Sequence, residues 1–353
     1  MDKRQFFDTL ESLFYPRELT LGVEQEFFLC DQSGRSASHE QSQRFLESFR
    51  HDCQAVLTEE DDPGIGRYIA FADLFVWNDR VRFKYDHHPH LMEIELPPVN
   101  TVEQMTELLA PAMNAAVQQA EKLALVARFQ PFLPEPIDHE AITSKHSLCV
   151  ALRDYRKRIN ANHSEILANP AIMNFSATIA ATHVHIGGIG WEQLETLMDG
   201  LYRLEPEMTP LSWQAVTDNP ADGLQKRWSG YQSCLGHLPL VAFPDLPQWT
   251  LDNWFAALYQ MPFAETLDNH RGSKVDRYDP LSWFCAKRDV SLIKPRHYGT
   301  VEFRIDPCQP TAEAVAKLCS ARLAAAMEIL GGLVPVRSFR EARNEWNSCA
   351  AKG

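Results

Sequence analysis

Apolar residues near the start of the chain recur at helical spacing. Phe6, Phe7, Leu10, Leu13 and Phe14 predict a short helix that Pro16 ends. Leu19 to Cys30 then alternates as a strand, and Gln41 to Phe49 reads as a second helix. Tyr68 to Phe83, rich in aromatic and β-branched residues, predicts strands, and Leu91 to Leu96 another, closed by Pro97-Pro98. Thr101 to Phe129 carries a long helical pattern that Pro111 should kink or split. Leu148 to Leu167 predicts a helix with a basic stretch from Arg153 to Arg158, Phe175 to Ile189 a strand, and Trp191 to Leu204 a helix. Pro206 to Pro247 reads as irregular, and Leu251 to Tyr259 as helical. Val290 to Lys294 and Gly299 to Asp306 form a hairpin pair, and Thr311 to Leu330 and Phe339 to Cys349 are the last helices. Strands and helices mix without βαβ alternation. The expected class is therefore α+β, with a mainly antiparallel sheet, helices packed on it and a single domain over 1–353.

Four strand-like segments place chemistry on one face. In Gly22-Val23-Glu24-Gln25-Glu26-Phe27, the residues Leu19, Leu21, Val23, Phe27 and Leu29, with Gln25 among them, point to a core. Thr20, Gly22, Glu24 and Glu26 point the other way, with the two carboxylates about 7 Å apart. That pattern is either a solvated sheet face or a cation site. Glu93 and Glu95 share a face of a strand whose Met92, Ile94 and Leu96 face the core, with Asp86 upstream. His87, His88 and His90 around Pro89 read as an exposed turn rather than as metal ligands. In Thr182-His183-Val184-His185-Ile186-Gly187-Gly188 both imidazoles leave one face, and the glycines leave room for a ligand to approach the backbone. Thr300, Glu302, Arg304 and Asp306 alternate with Val301, Phe303 and Ile305, either as a cross-strand pair or as a joint grip on a divalent ion and a phosphoryl group. Lys294, Arg296 and Arg227 are either surface charges or holders of a substrate carboxylate.

Composition narrows the chemistry. The 353 residues carry a formal charge of −13, which argues against nucleic acid and anionic membranes as partners, but not against a nucleotide brought in by metal ions. The eight cysteines form no C-x-x-C pair and read as free thiols of a reducing compartment, with the cytoplasm expected. There is no P-loop, Gly64-Ile65-Gly66 lacks the third glycine of a dinucleotide fingerprint, and neither H-E-x-x-H nor G-x-S-x-G occurs. Carboxylates and imidazoles on several strands suit hard cations.

In this order, Gly22 to Phe27, Glu93 to Pro98, His183 to Gly187 and Glu302 to Arg304, followed by an Ala-rich helix, resemble the glutamate–cysteine ligase family. Within that family the pattern is similar to the branch of type 2 bacterial carboxylate–amine ligases. The resemblance runs from about residue 19 to 331. It implies a curved antiparallel funnel related to glutamine synthetase and guanidino kinases. It implies Mg²⁺, as two or more ions that Mn²⁺ can replace, and ATP as co-substrate. By this resemblance Glu24 and Glu26 would bind Mg²⁺, Asp86 and Glu93 would be the next acidic pair, and His183 would meet metal or phosphate with His185 beside it. Glu302 would complete the metal cluster and Arg304 would bind the phosphoryl group in transfer. The implied reaction phosphorylates the γ-carboxylate of glutamate, or of a similar acid, and couples it to an amine, with cysteine first and a homodimer as the expected oligomer. Gln25 departs from the often acidic middle residue of the first motif, but points away from the metal face. Open alternatives are another amine acceptor, a phosphoryl transferase of the same fold, a metal-dependent hydrolase without ATP, and a catalytically silent nucleotide-binding regulator.

Overall fold

The computed structural model describes residues 1–86, 88–139, 142–236, 238–263, 278–287 and 289–351, and of Asp86 the backbone alone. It opens with α1 (Lys3–Glu11), whose first turn Asp2 caps, and β1 (Thr20–Asp31). Next come α2 (His39–Asp52), begun by a Ser38/Gln41 capping box, and a meander of β2 (Val56–Asp62), β3 (Gly66–Val76), β4 (Asp79–Asp86) and β5 (His88–Glu95). After α3 (Val102–Lys122) and β6 (Leu125–Arg128) lie α4 (Ser147–Ile159), α5 (Ser164–Leu167), α6 (Pro170–Met173), β7 (Thr182–Gly187), α7 (Trp191–Trp213) and α8 (Pro220–Leu235). The last part holds β8 (Val241–Ala242), α9 (Leu251–Gln260), α10 (Pro280–Ala286), β9 (Val290–Ser291), β10 (Ile293–Pro295), β11 (Thr300–Phe303), α11 (Ala312–Leu330) and α12 (Phe339–Ala351).

Among the described residues nine strands form one antiparallel sheet in the order β10-β11-β7-β1-β5-β4-β3-β2, with β6 also paired to β1. The sheet is open, with β10 and β2 at its edges. One face carries Val23, Phe27, Val184, Ile186, Val301 and Phe303, packed into the main core with the apolar stripes of α3, α7 and α11. On the opposite face β1 shows Gly22, Glu24 and Glu26. Beyond them Phe28 and Cys30 disappear into a second, smaller core with Leu91, Leu133, Ala177 and Cys308. That face is closed at one end and polar at the other.

Several sequence expectations need correction. The helix from Thr101 ends at Lys122. Ala124 then adopts φ 55, which turns the chain into β6, an apolar tetrapeptide indistinguishable by composition from another helical turn. Pro111 lies within α3 without ending it. Leu148 to Leu167 is two helices, and Phe175 to Ala177 is a 3-10 turn before β7. The span 206–247 is not irregular. The helix α7 continues through Pro206 and Pro210 to a fully buried Trp213, because its apolar stripe packs on α11 and α12, and α8 follows. The polar edge strand β2 had no apolar alternation to reveal it. Val290-Ser291 pairs in parallel with β8, and β10 alone makes the hairpin with β11. His88 and His90 are not in an exposed turn. Both are buried on β5, where His90 Nε2 donates to the Ala177 carbonyl at 2.8 Å, while His87 lies outside the described residues. Among the described residues no two cysteines are joined, and no helix is long and apolar enough to cross a membrane.

Candidate active site

Strand register assembles the polar face. Glu24 on β1 lies opposite Glu95 on β5 and His183 on β7, and Glu26 lies opposite Glu93. Gly22 lies opposite His185, His185 opposite Glu302 on β11, and Glu302 opposite Lys294 on β10. The four motifs therefore meet because alternate residues of neighbouring strands share a face. Gly22 has a steric role here. A Cβ at that position would stand 3.3 Å from His185 Cβ, so a side chain would crowd the imidazole. Of the Gly187-Gly188 pair, Gly187 lines a cavity at the site, but at both glycines the position a side chain would take is occupied. The space at Gly188, which has φ +84, is filled by the Glu18 carbonyl, and that at Gly187 by the Thr20 hydroxyl.

His183 Nδ1 donates to Glu24 Oε2 at 3.0 Å and stands 3.7 Å from Glu302 Oε1. His185 Nε2 is 3.4 Å from Glu24 Oε1. Glu302 is fully buried within a cationic ring, with Arg304 Nη1 at 2.7 Å, Arg296 Nη1 at 3.2 Å and Lys294 Nζ at 3.6 Å. Burial works to raise both carboxyls. The His185 and His183 imidazoles outweigh it at Glu24, and Arg296, Arg304 and Lys294 outweigh it at Glu302, so both stay well below the ordinary carboxylate range. Burial, reinforced by Arg304, pushes His183 and Lys294 down.

Two cavities meet at Glu24. One, of about 360 Å³, is lined by Arg17, Val23, Arg82, Leu96, Pro97, Pro98, His185, Tyr298 and Thr300. The other, of about 260 Å³, is lined by Lys84, Glu93, His183, Lys287, Asp289, Lys294, Arg296, Glu302 and Arg304. The first offers proline, leucine and tyrosine surface beside its charges, and the second is mostly charged, with Phe284, Val290 and Pro295 as its apolar part.

A divalent cation fits this donor set. Glu24, His185 and Glu302 each offer an atom within 4.8 Å of the others, and the buried His185 Nε2 makes no hydrogen bond. Two carboxylates and an imidazole suit Mg²⁺ or Mn²⁺. Glu24, Glu93 and Glu95 form a second group of the same spacing.

Among the other sequence candidates, Lys294, Arg296 and Arg304 line the charged cavity. Glu26 lines neither cavity; its Oε2 accepts from the Ala181 amide at 2.6 Å and its Oε1 stands 3.8 Å from His183 Nε2. Arg227 lines neither cavity. It is buried behind the site and donates to the carbonyls of Ala180 and Arg304 at 3.3 and 2.9 Å. The Asp86 backbone closes β4 across a bulge, and its side chain lies outside the described part. Asp306 does not share the face of Glu302, because β11 ends at Phe303 and the carboxylate turns to Arg322 in the helix layer. Sequence reading missed Arg17, Tyr298 and, most notably, Lys84. Arg80, Arg82 and Lys84 alternate with Val81, Phe83 and Tyr85, a period-two signal that was available.

No protein-family model and no curated protein sequence matches the chain. Among solved structures, a bifunctional glutathione synthetase from Pasteurella multocida superposes with a TM-score of 0.50 at 10% identity, over 99% of this chain and 41% of that one. A glutamate–cysteine ligase from Francisella tularensis in complex with AMP gives 0.45 at 13% identity, over 96% and 72%. GmaS without ligand gives 0.39 at 10% identity, over 99% and 67%. The chain thus spans less than half the length of the Pasteurella enzyme, and what it shares with that enzyme is the fold.

Proposed function

We propose that this chain is an ATP- and Mg²⁺-dependent carboxylate–amine ligase acting on glutamate or a glutamate-like acid, with cysteine first among the acceptors. The observation that carries this reading is the convergence of Glu24, His183, His185 and Glu302 from three strands beside Lys294, Arg296 and Arg304. Amide formation needs a leaving group on carbon. A carboxylate oxygen attacks the terminal phosphorus of ATP, ADP departs, the amine attacks the acyl carbon, and inorganic phosphate leaves. Phosphate transfer between two anions needs positive charge and alignment more than covalent help. Glu24, His185 and Glu302 would hold the divalent ion, which supplies charge neutralisation on the phosphates. Arg304 and Arg296, held by Glu302 and partly exposed to the cavity, present fixed donors to a phosphoryl or carboxylate group without reorganising. Glu302 keeps three cations together that would otherwise repel. The cavity with proline and tyrosine walls suits a flat base, and the charged cavity suits phosphates and the acid. Cysteine as acceptor, giving γ-glutamylcysteine, rests on the sequence resemblance.

The test is ADP release with glutamate fixed and amines varied, and the product identified by mass spectrometry. The expected result is release that needs glutamate, an amine and Mg²⁺ together, and an amide product. Glu24→Gln should lower kcat/KM by about 100-fold or more, the scale of removing one preorganised electrostatic group. If no amine raises release above the amine-free rate, or a stable phosphorylated acid accumulates, the ligase reading is lost to a phosphoryl transferase or a silent site.

A further inference from the structure

Glu24, Glu93 and Glu95 offer oxygens within 4.8 Å of one another, the same spacing as the Glu24–His185–Glu302 set. Three like charges at that spacing repel strongly, so such a corner needs a cation. The chain supplies one itself. Lys84 on β4 lies opposite Glu93 in register, and its Nζ is 3.0 Å from Glu93 Oε1 and in contact with Glu95 Oε1. Arg82, the neighbouring cation on the same face, is committed elsewhere, with Nε and Nη2 on the Asp73 carboxylate at 2.7 and 2.9 Å.

The other set differs in kind. Arg304, Arg296 and Lys294 approach Glu302, and among the described residues none of them forms an ion pair with Glu24. The buried His185 Nε2 makes no hydrogen bond and stands 3.4 Å from Glu24 Oε1, with Nδ1 engaged by Thr300 Oγ1 at 3.3 Å. An imidazole nitrogen aimed between two carboxylates offers a metal a ligand that an ammonium would not use. We propose that Lys84 is a resident cation that stands where a second divalent ion would sit between Glu93 and Glu95. The chain then binds one divalent ion, at Glu24–His185–Glu302, and none at Glu24–Glu93–Glu95. The proposal rests on the metal-binding part of the function proposed above. A divalent ion beside the ammonium would meet direct repulsion, and it would have to displace the ammonium from the Glu93 and Glu95 oxygens it already contacts.

The experiment titrates Mn²⁺ alone into the full chain and follows free Mn²⁺ by its electron paramagnetic resonance signal. The expected stoichiometry is one in the wild type, two in Lys84→Gln, one in Lys84→Arg, and none in Glu24→Gln. A melting temperature for Lys84→Gln that rises with Mn²⁺ more steeply than the wild type's gives a second readout. Two or more ions in the wild type, or an unchanged single ion in Lys84→Gln, overturns the role of Lys84 and leaves the ligase reading standing. No bound ion in the wild type overturns both. If Lys84→Gln does not fold, the wild-type count decides: one supports the proposal and two or more end it.

Discussion

His90 shows how a single side chain changes meaning with burial. It is 1% exposed on β5, and desolvation pushes its imidazole down to about 4, against the hydrogen bond to Ala177 that favours the proton. The unfolded chain takes up that proton near pH 6.5, so between about 6.5 and 4 the unfolded state binds more protons. Stability from this group is complete above that window and is lost as pH falls through it, to a total of about 3 kcal/mol. His90→Gln keeps a donor for the carbonyl and removes the titration. Urea unfolding at a series of pH values should show a shallower slope between pH 4 and 6.5 for the variant, by up to about 1.4 kcal/mol per pH unit. Equal slopes would mean the proton is accommodated in the folded protein. At the candidate site the same physics runs the other way. Glu302 is fully buried and Glu24 partly so, yet cations and imidazoles keep both charged.

Elements were legible where period and environment agreed. β1 alternates because one face packs on helices and the other forms the site, so the direction of Glu24 is readable in the sequence. The hidden elements each lacked that agreement. β2 is a polar edge strand, β6 an apolar stub after a helix, and α7 keeps its helix through two prolines because tertiary packing overrides propensity. Within the site the carboxylates and imidazoles could be read from alternation. Which cations neutralise them could not, because Lys84 and Arg296 reach Glu93 and Glu302 across strands whose order the sequence does not state. Pro111 gives a measurable consequence. It faces solvent within α3, and so does Glu107, whose carbonyl has lost its helical partner. Pro111→Ala restores that bond and should raise stability by about 1–3 kcal/mol in chemical denaturation. A loss would show that the proline sets a bend that the packing of α3 requires.

At the scale of the whole molecule, one buried ionic knot joins the layers. Arg322 on α11 holds Asp306, just after β11, at 2.6 and 3.0 Å, contacts Glu205 on α7, and lies over the Phe303 ring. Arg322→Met would strand two carboxylates in the core and should cost about 3–5 kcal/mol, read from the urea midpoint. Burial already raises the Glu205 carboxyl against the pull of Arg322, so the variant's deficit should shrink as pH falls and the acid takes a proton. A deficit independent of pH would place the cost in packing. The strand order carries a last consequence, for biosynthesis. β1 is complete at residue 31, its neighbour β7 spans 182–187, and the neighbour of β7, β11, spans 300–303. At translation speeds of about 5–20 residues per second, a nascent chain waits on the order of tens of seconds between emergence of its first strand and arrival of the strand that brings Glu302. From its own emergence until β11 arrives, β7 keeps the edge that will pair with β11 open, the kind of margin that holding chaperones capture.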